Sequence, residues 1–325
     1  MAHEISRRDW LRGTAAAAAA GVLGSAAPNG HVASAAPAAP AAAQGFRFVH
    51  LTDIHVQPER AADRGLARAL RAVEALRPRP DFILTGGDLV FDVFAAPAPR
   101  AESLFKMLRK VFADNTSLPV HHACGNHDVF GWGAKHGVTP ATPGYGKALV
   151  KQSLELHDLH YAFDHKGWRF LVLDNVQPGP GPHAYVGALD GEQKDWLAQE
   201  LTRSAGKQPI VTVEHIPLLS ASPFAFTEYR RPEGWELPNA LVCMDAADRL
   251  KLYRDRNVRL CLSGHLHQLD RVEMHGTTFI CDGAVCGNWW RGAYEGLSEG
   301  FGVLDLRPDG TFDHSYVTYG WQAQA

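Results

Sequence analysis

Five short clusters in this chain gather side chains that hold divalent cations: Asp53-Ile54-His55, Gly87-Asp88, Gly125-Asn126-His127-Asp128, Glu214-His215 and Gly264-His265-Leu266-His267. Carboxylate oxygen, amide oxygen and neutral imidazole suit hard or borderline metals, with no need of a thiolate. Asp53, His55 and His267 make one ligand set, and Asn126, His215 and His265 a second. The carboxylate of Asp88 is the bridge between them. Two bridged ions about 3.5 to 4 Å apart share a hydroxide that attacks in line, and they stabilise the charge of a phosphoryl displacement. Two divalent ions, less the charges of Asp53, Asp88 and the hydroxide, leave a positive centre that attracts phosphate. That local field opposes a formal net charge of −3.

His127 follows a ligand-type Asn and projects beside the metals rather than onto them. Asp128 is then expected to orient its ring and stabilise an imidazolium. Such a histidine either protonates the departing alkoxide or holds the transferring phosphoryl oxygen.

The clusters sit at the ends of apolar runs with the length of buried strands: Phe46 to Leu51, Phe82 to Thr85, Val120 to Cys124, Ile210 to Val213 and Arg259 to Leu262. Helical spacing of Leu66, Leu70, Val73 and Leu76 predicts a helix over Ala61 to Leu76, stopped by Pro78 and Pro80. Others are expected over Glu102 to Phe112, Gly191 to Arg203 and Ala246 to Arg256. In alternating α/β chains the residues just past the carboxyl ends of the strands converge on one crevice. A hairpin is expected from Leu159 to Leu173. Strand candidates at Gln268 to His275, Thr277 to Cys281, Gly302 to Leu306 and Thr311 to Tyr316 read as a β-meander that builds a second sheet.

In composition and order the five clusters resemble the calcineurin-like metallophosphoesterases, and the resemblance covers nearly all of the chain after its first segment. It implies an αββα sandwich of two mixed β-sheets flanked by helices, a dinuclear centre of divalent transition-metal ions (Mn, Fe, Zn or Co), and hydrolysis of small phosphate esters by a metal-bridging hydroxide. The purple acid phosphatases carry a Tyr three residues after the bridging Asp, where this chain has Phe91. A tyrosinate-bound ferric ion is therefore not expected. The pattern is closer to small bacterial phosphodiesterases, so diester cleavage is favoured over a phosphomonoesterase, with a non-catalytic metal or phosphate binder as the remaining alternative.

Substrate contacts are expected from Gly287-Asn288-Trp289-Trp290-Arg291-Gly292, where Trp289 and Trp290 stack on a base or sugar and Arg291 pairs with phosphate. The competing reading makes this loop an anchor over the second sheet. Asn175, and His183 in the loop Gln177 to Gly187, are further candidates.

The first residues read as an export signal. Ser6-Arg7-Arg8-Asp9-Trp10-Leu11 supplies a twin arginine, Gly13 to Gly24 an alanine-rich core, and Ala33-Ser34-Ala35 a small-residue cleavage site. Residues 1–44 are thus assigned to a twin-arginine signal and Ala/Pro-rich linker, and 45–325 to one phosphoesterase domain, periplasmic or secreted. With 46% hydrophobic residues the chain can bury a large core. The absence of a basic stretch argues against a nucleic-acid polymer as partner, and the lack of a long apolar run argues against stable membrane insertion. Oligomeric state is not legible. Five cysteines without paired close spacing exclude a zinc ribbon, and Cys281 and Cys286 are read as free buried thiols in preference to a disulfide.

Overall fold

A computed structural model of the chain describes residues 45–180 and 183–324; the signal and linker assigned to 1–44 lie outside the described residues. In chain order the elements are β1 (Phe46–Leu51), α1 (Ala62–Ala75), β2 (Phe82–Gly86), α2 (Ala98–Asn115), β3 (Val120–Ala123), α3 (Ala148–Ser153), β4 (Tyr161–His165) and β5 (Trp168–Val172). Then come β6 (Val176–Pro178), β7 (Tyr185–Gly187), α4 (Gly191–Ser204), β8 (Ile210–Val213), β9 (Arg230–Arg231), β10 (Gly234–Trp235) and α5 (Ala246–Tyr253). The chain closes with β11 (Val258–Ser263), β12 (Asp270–Met274), β13 (Thr277–Cys281), β14 (Gly300–Leu306) and β15 (Phe312–Thr318).

Two mixed sheets dominate, ordered β15-β14-β1-β2-β3 and β12-β13-β11-β8-β5-β4. Strands β1, β2 and β3 run parallel, and so do β5, β8, β11 and β13, so each sheet presents its ligand-bearing loops at one end. Between the sheets lies an apolar layer rich in rings. Phe48 stacks on Phe82 at 5.1 Å, and Phe170 meets both edge-on at 5.4 Å. Leu84, Val211, Val213, Leu260 and Leu262 complete it. A second core lies under the helices: α1 buries Leu66, Leu70 and Val73 on one face, the 3.6-residue stripe its sequence predicts. On α4 the Asp190 side chain accepts from the Gln193 amide and caps the first turn.

This is the expected sandwich, with one change of topology. The last four strands are not one meander in the second sheet. β12 and β13 join that sheet, but β14 crosses to the first and pairs antiparallel with β1, from Phe46 opposite Leu306 to His50 opposite Gly302. β14 is apolar enough to be buried on both faces, which the free flank of β1 allows and an outer strand of a meander does not. No described helix is long and apolar enough to cross a membrane.

Candidate metal centre

Each ligand cluster occupies a turn that leaves its strand abruptly. Asp53, His55, Asp88, His265 and His267 all have positive φ, between 44° and 72°, where side chains other than glycine are strained. Two glycines make the crowding possible. A Cβ on Gly125 would lie 2.1 Å from the Asp88 backbone nitrogen, and one on Gly264 would lie 1.9 Å from Thr52 Oγ1 and 2.3 Å from Asp53 Oδ2. The loops interlock through backbone: Asp53 N–H donates to the Gly87 carbonyl, His55 N–H to Asp88, and Gly264 N–H to His215.

The seven ligands predicted from sequence come together in this buried knot. On one side His55 Nε2 stands 3.2 Å from His267 Nε2 and 3.5 Å from Asp88 Oδ2, and His267 Nε2 is 3.3 Å from Asp53 Oδ1. On the other, His215 Nε2 is 3.0 Å from Asn126 Oδ1, 3.2 Å from Asp88 Oδ2 and 3.2 Å from His265 Nδ1. Asp88 belongs to both groups. Two ligand atoms each about 2.1 Å from a common ion stand roughly 3 to 3.4 Å apart. This donor set therefore fits divalent cations on both sides of Asp88.

Ring orientation supports the fit. The Nδ1–H of His215 donates to the Gly86 carbonyl (2.8 Å), the Nε2–H of His265 to Ala240 (2.9 Å) and the Nδ1–H of His267 to Gly287 (2.7 Å). Each bond fixes a tautomer whose other nitrogen offers a lone pair to the cluster. The carboxylates also create a demand for positive charge. Burial pulls His215 down, but Asp88 and Asp53 outweigh it and raise its pKa to about 9. Burial and the His215 charge lower His265 to about 3. Cys286 Sγ lies 4.0 Å from His267 Nδ1, the nitrogen already bonded to Gly287, and burial pushes this thiol up, so it packs behind the ring. All five cysteines are free and buried.

His127 lies at the mouth, its ring centroid 4.9 Å from that of His55 and its side chain 24% exposed. Its partner is Asp92, with Oδ1 at 3.5 Å from His127 Nδ1, and not Asp128 as the sequence reading had it. Asp128 is fully buried and accepts the amides of Leu89, Val90 and Gly125, tying the second and third ligand loops together. Its position next to His127 in sequence hid this, because the 3₁₀ turn at Asn126–Asp128 rotates each side chain about 120° from the one before. Burial opposes a charged His127, but Asp88 and Asp92 outweigh it and raise its pKa. Asp92 was missed; its one legible signal is its place four residues after Asp88.

The tandem tryptophans separate. Trp289 covers the site, with ring centroids 4.0 Å from His55, 5.0 Å from His127 and 5.2 Å from His267. Trp290 is no substrate contact. It is fully buried, donates its indole N–H to the carbonyls of Ile54 and His55, and packs so closely on α1 that a Cβ at Gly65 would lie 2.1 Å from its ring. The two readings of this loop are thus divided between adjacent residues. Arg291 lines the cleft beside His127 and Trp289. Asn175 is also withdrawn from substrate: it is buried, and its amide bonds Glu214, Ile216 and Cys243. Glu214 faces the fully buried Arg249 at 2.5 Å, a pair that supports the strand end preceding His215. His183 is exposed, with its ring centroid 6.0 Å from that of Tyr185, whose own is 6.3 Å from that of His265.

Comparison with known proteins agrees with this geometry. The family described as calcineurin-like phosphoesterase matches residues 46–269. A cAMP/cGMP dual specificity phosphodiesterase of Mycobacterium tuberculosis is 26% identical over 290 residues, covering 85% of this chain and 80% of that one. A 3′,5′-cyclic-nucleotide phosphodiesterase of Nostoc is 23% identical over 278 residues, with 82% and 89% covered. A serine/threonine-protein phosphatase of Bos taurus is 29% identical over 206 residues, with 62% and 58% covered. Among solved structures, a dimetal phosphatase from Danio rerio shares the fold, with a TM-score of 0.58 at 15% identity, over 85% of this chain and 100% of that one.

Proposed function

The chain belongs to the calcineurin-like phosphoesterase family, and from that premise we propose that it is a dinuclear enzyme cleaving small organic phosphodiesters. The observation that carries this reading is the pair of donor clusters sharing Asp88, with His127 at their mouth. Asp53, His55 and His267 would hold one divalent ion, Asn126, His215 and His265 the other, and Asp88 both. Bound there, the ions supply Lewis acidity toward phosphoryl oxygen and activate water at neutral pH. The chain's own residues then position and discharge the ester. With Nδ1 turned to Asp92, His127 offers Nε2 to the departing oxygen, and Asp92 favours the protonated ring that can deliver a proton. Trp289 walls one side of the cleft and limits water around the ester.

Diester cleavage is supported by the two similar cyclic-nucleotide phosphodiesterases and by an open cleft of about 530 Å³ beside His127, room for a second ester arm. A phosphomonoesterase reading rests on the similarity to the bovine phosphatase. Metal analysis of the purified chain, paired with hydrolysis of bis-p-nitrophenyl and p-nitrophenyl phosphate before and after chelation, separates them. Two ions per chain with chelation-sensitive diester cleavage is the expected result. Cleavage of the monoester alone makes it a phosphatase, and a metal-free, inactive chain overturns the site. The order of twin arginine, apolar core and small-residue stretch within 1–44 supports export by the twin-arginine route. Fractionation of a reporter fused to those residues tests it, and replacing Arg7 and Arg8 by Lys should retain the reporter in the cytoplasm.

A further inference from the structure

Outside the ligand knot, the cleft beside His127 is lined by three arginines, Arg60, Arg100 and Arg291, and by the rings of Phe91 and Trp289. Its two carboxylates are already engaged. Glu59 pairs with Arg100 at 2.6 Å, and Asp92 faces His127. Among the described residues neither Arg60 nor Arg291 has an ion pair, so two exposed arginines line the cleft without a carboxylate partner.

Their backbones are held in place. Arg60 and Ala61 have φ of 55° and 53°, and Trp289 and Trp290 have φ of 53° and 67°, so each arginine rides on or beside two successive left-handed residues. Such conformations persist only where surrounding packing over-determines them. Trp290, which immediately precedes Arg291, is buried and wedged against Gly65 on α1, the helix that follows Arg60. The Arg291 N–H also donates to the Asn288 carbonyl at 2.9 Å, closing a tight turn. The loop that carries Arg291 is thus packed on the helix that Arg60 leads into. Phe91 and Trp289, edge to face at 5.7 Å, line the same cleft, and Trp289 also covers the ligand rings of His55 and His267.

We propose that the preferred substrate carries a second phosphate, held by Arg60 and Arg291 while the scissile phosphate sits at the metal knot and the connecting base or sugar lies against Trp289 and Phe91. A terminal phosphate near pH 7 carries close to two negative charges and presents three acceptor oxygens, which matches two forked donors better than a single carboxylate does. The inference rests on the phosphodiesterase reading above and adds the chemistry of the ester's arm.

The test uses the full, metal-loaded chain and two esters that differ by one group: p-nitrophenyl thymidine 5′-phosphate and the same compound bearing a 3′-phosphate. The expected kcat/KM favours the 3′-phosphorylated ester by about tenfold, mostly through KM. Arg60→Gln and Arg291→Gln should each reduce that ratio at least about threefold, and the double variant should bring it near one, while lysine at either position keeps only the part that charge without the fork supplies. Raising the ionic strength must compress the ratio in the unaltered protein, a readout independent of whether the variants fold. A ratio of one or below in the unaltered protein, or one that survives the double variant and salt, overturns the proposal. Cleavage of bis-p-nitrophenyl phosphate with neither thymidine ester cut overturns the proposal and leaves the phosphodiesterase reading standing. Failure on all three substrates removes that reading and the proposal with it.

Discussion

Two buried clusters in this chain pair histidine with aspartate, and they solve the charge problem in opposite ways. Around Asp88, imidazole nitrogens face one another: His55 and His267 at 3.2 Å, His215 and His265 at 3.2 Å. Around Asp282, every close contact is nitrogen to oxygen. His50 Nδ1 meets one carboxylate oxygen at 2.7 Å and His314 Nε2 meets the other at 2.8 Å. In the second cluster each oxygen of the central carboxylate is taken up by a hydrogen bond from an imidazole. In the first, His215, His265 and His267 spend their outward nitrogens on backbone carbonyls and turn lone pairs inward, which between His215 and His265 only a proton or a cation can reconcile, while His55 Nδ1 has no such partner. What separates a ligand histidine from a core histidine is therefore which atom its nitrogen faces.

The sharpest way to break the contrast is to remove each central carboxylate. Asp88→Ala should abolish binding of both ions and lower diester turnover by about 10⁴ or more, since both ligand groups lose a member. Two ions retained in that variant, measured by elemental analysis, would show that Asp88 is no bridge. Next in size is His127→Ala. It should leave metal content intact and slow esters with poor leaving groups by about 10² to 10⁴, with far less effect on nitrophenyl esters, whose leaving oxygen needs no proton. Loss of metal there would make His127 a ligand. Third, adding divalent metal at about a thousand times its Kd should raise stability by roughly 4 kcal/mol in the unaltered protein and not in Asp88→Ala. An equal rise of melting temperature in both would mean the metal binds elsewhere.

The legibility of these clusters in sequence follows the same physics. A ligand knot at the ends of parallel strands leaves short dense motifs, because each turn must deliver two or three polar groups at once, and all seven predicted ligands meet there. Their αββα frame was equally readable from apolar runs of strand length. What could not be read was direction after a turn. Asp128 and Asp92 exchanged roles because one residue of rotation in a 3₁₀ turn decides which carboxylate faces His127. Trp289 and Trp290 look alike in sequence, yet one covers the ligand rings and the other is fully buried. Arg60 lay in no motif. Tertiary folding alone sets it beside Arg291 and Trp289 in the cleft, and β14 joined the first sheet through a pairing distant in sequence.

The smallest effect is expected at the Asp282 cluster, and it is a matter of pH. Burial alone would push the Asp282 carboxyl up, but the charge and hydrogen bond of His314 and the bond from His50 outweigh it and hold it at about 2. Against an ordinary value of 3.8, this shift is worth roughly 2 kcal/mol. A folded pKa below the unfolded one gives stability that is fully present above about 4 and lost as pH falls toward 2. Asp282→Asn should therefore unfold about 2 kcal/mol more easily than the unaltered protein in urea at neutral pH, with metal content and diester cleavage preserved, and the gap should narrow between pH 4 and pH 2. A gap that stays constant through that window would mean the carboxyl is not held ionised by its histidines. Loss of metal in Asp282→Asn would join the two clusters into one device, because His50 lies on β1, three residues before Asp53, and a shift of that strand end would carry the ligand with it.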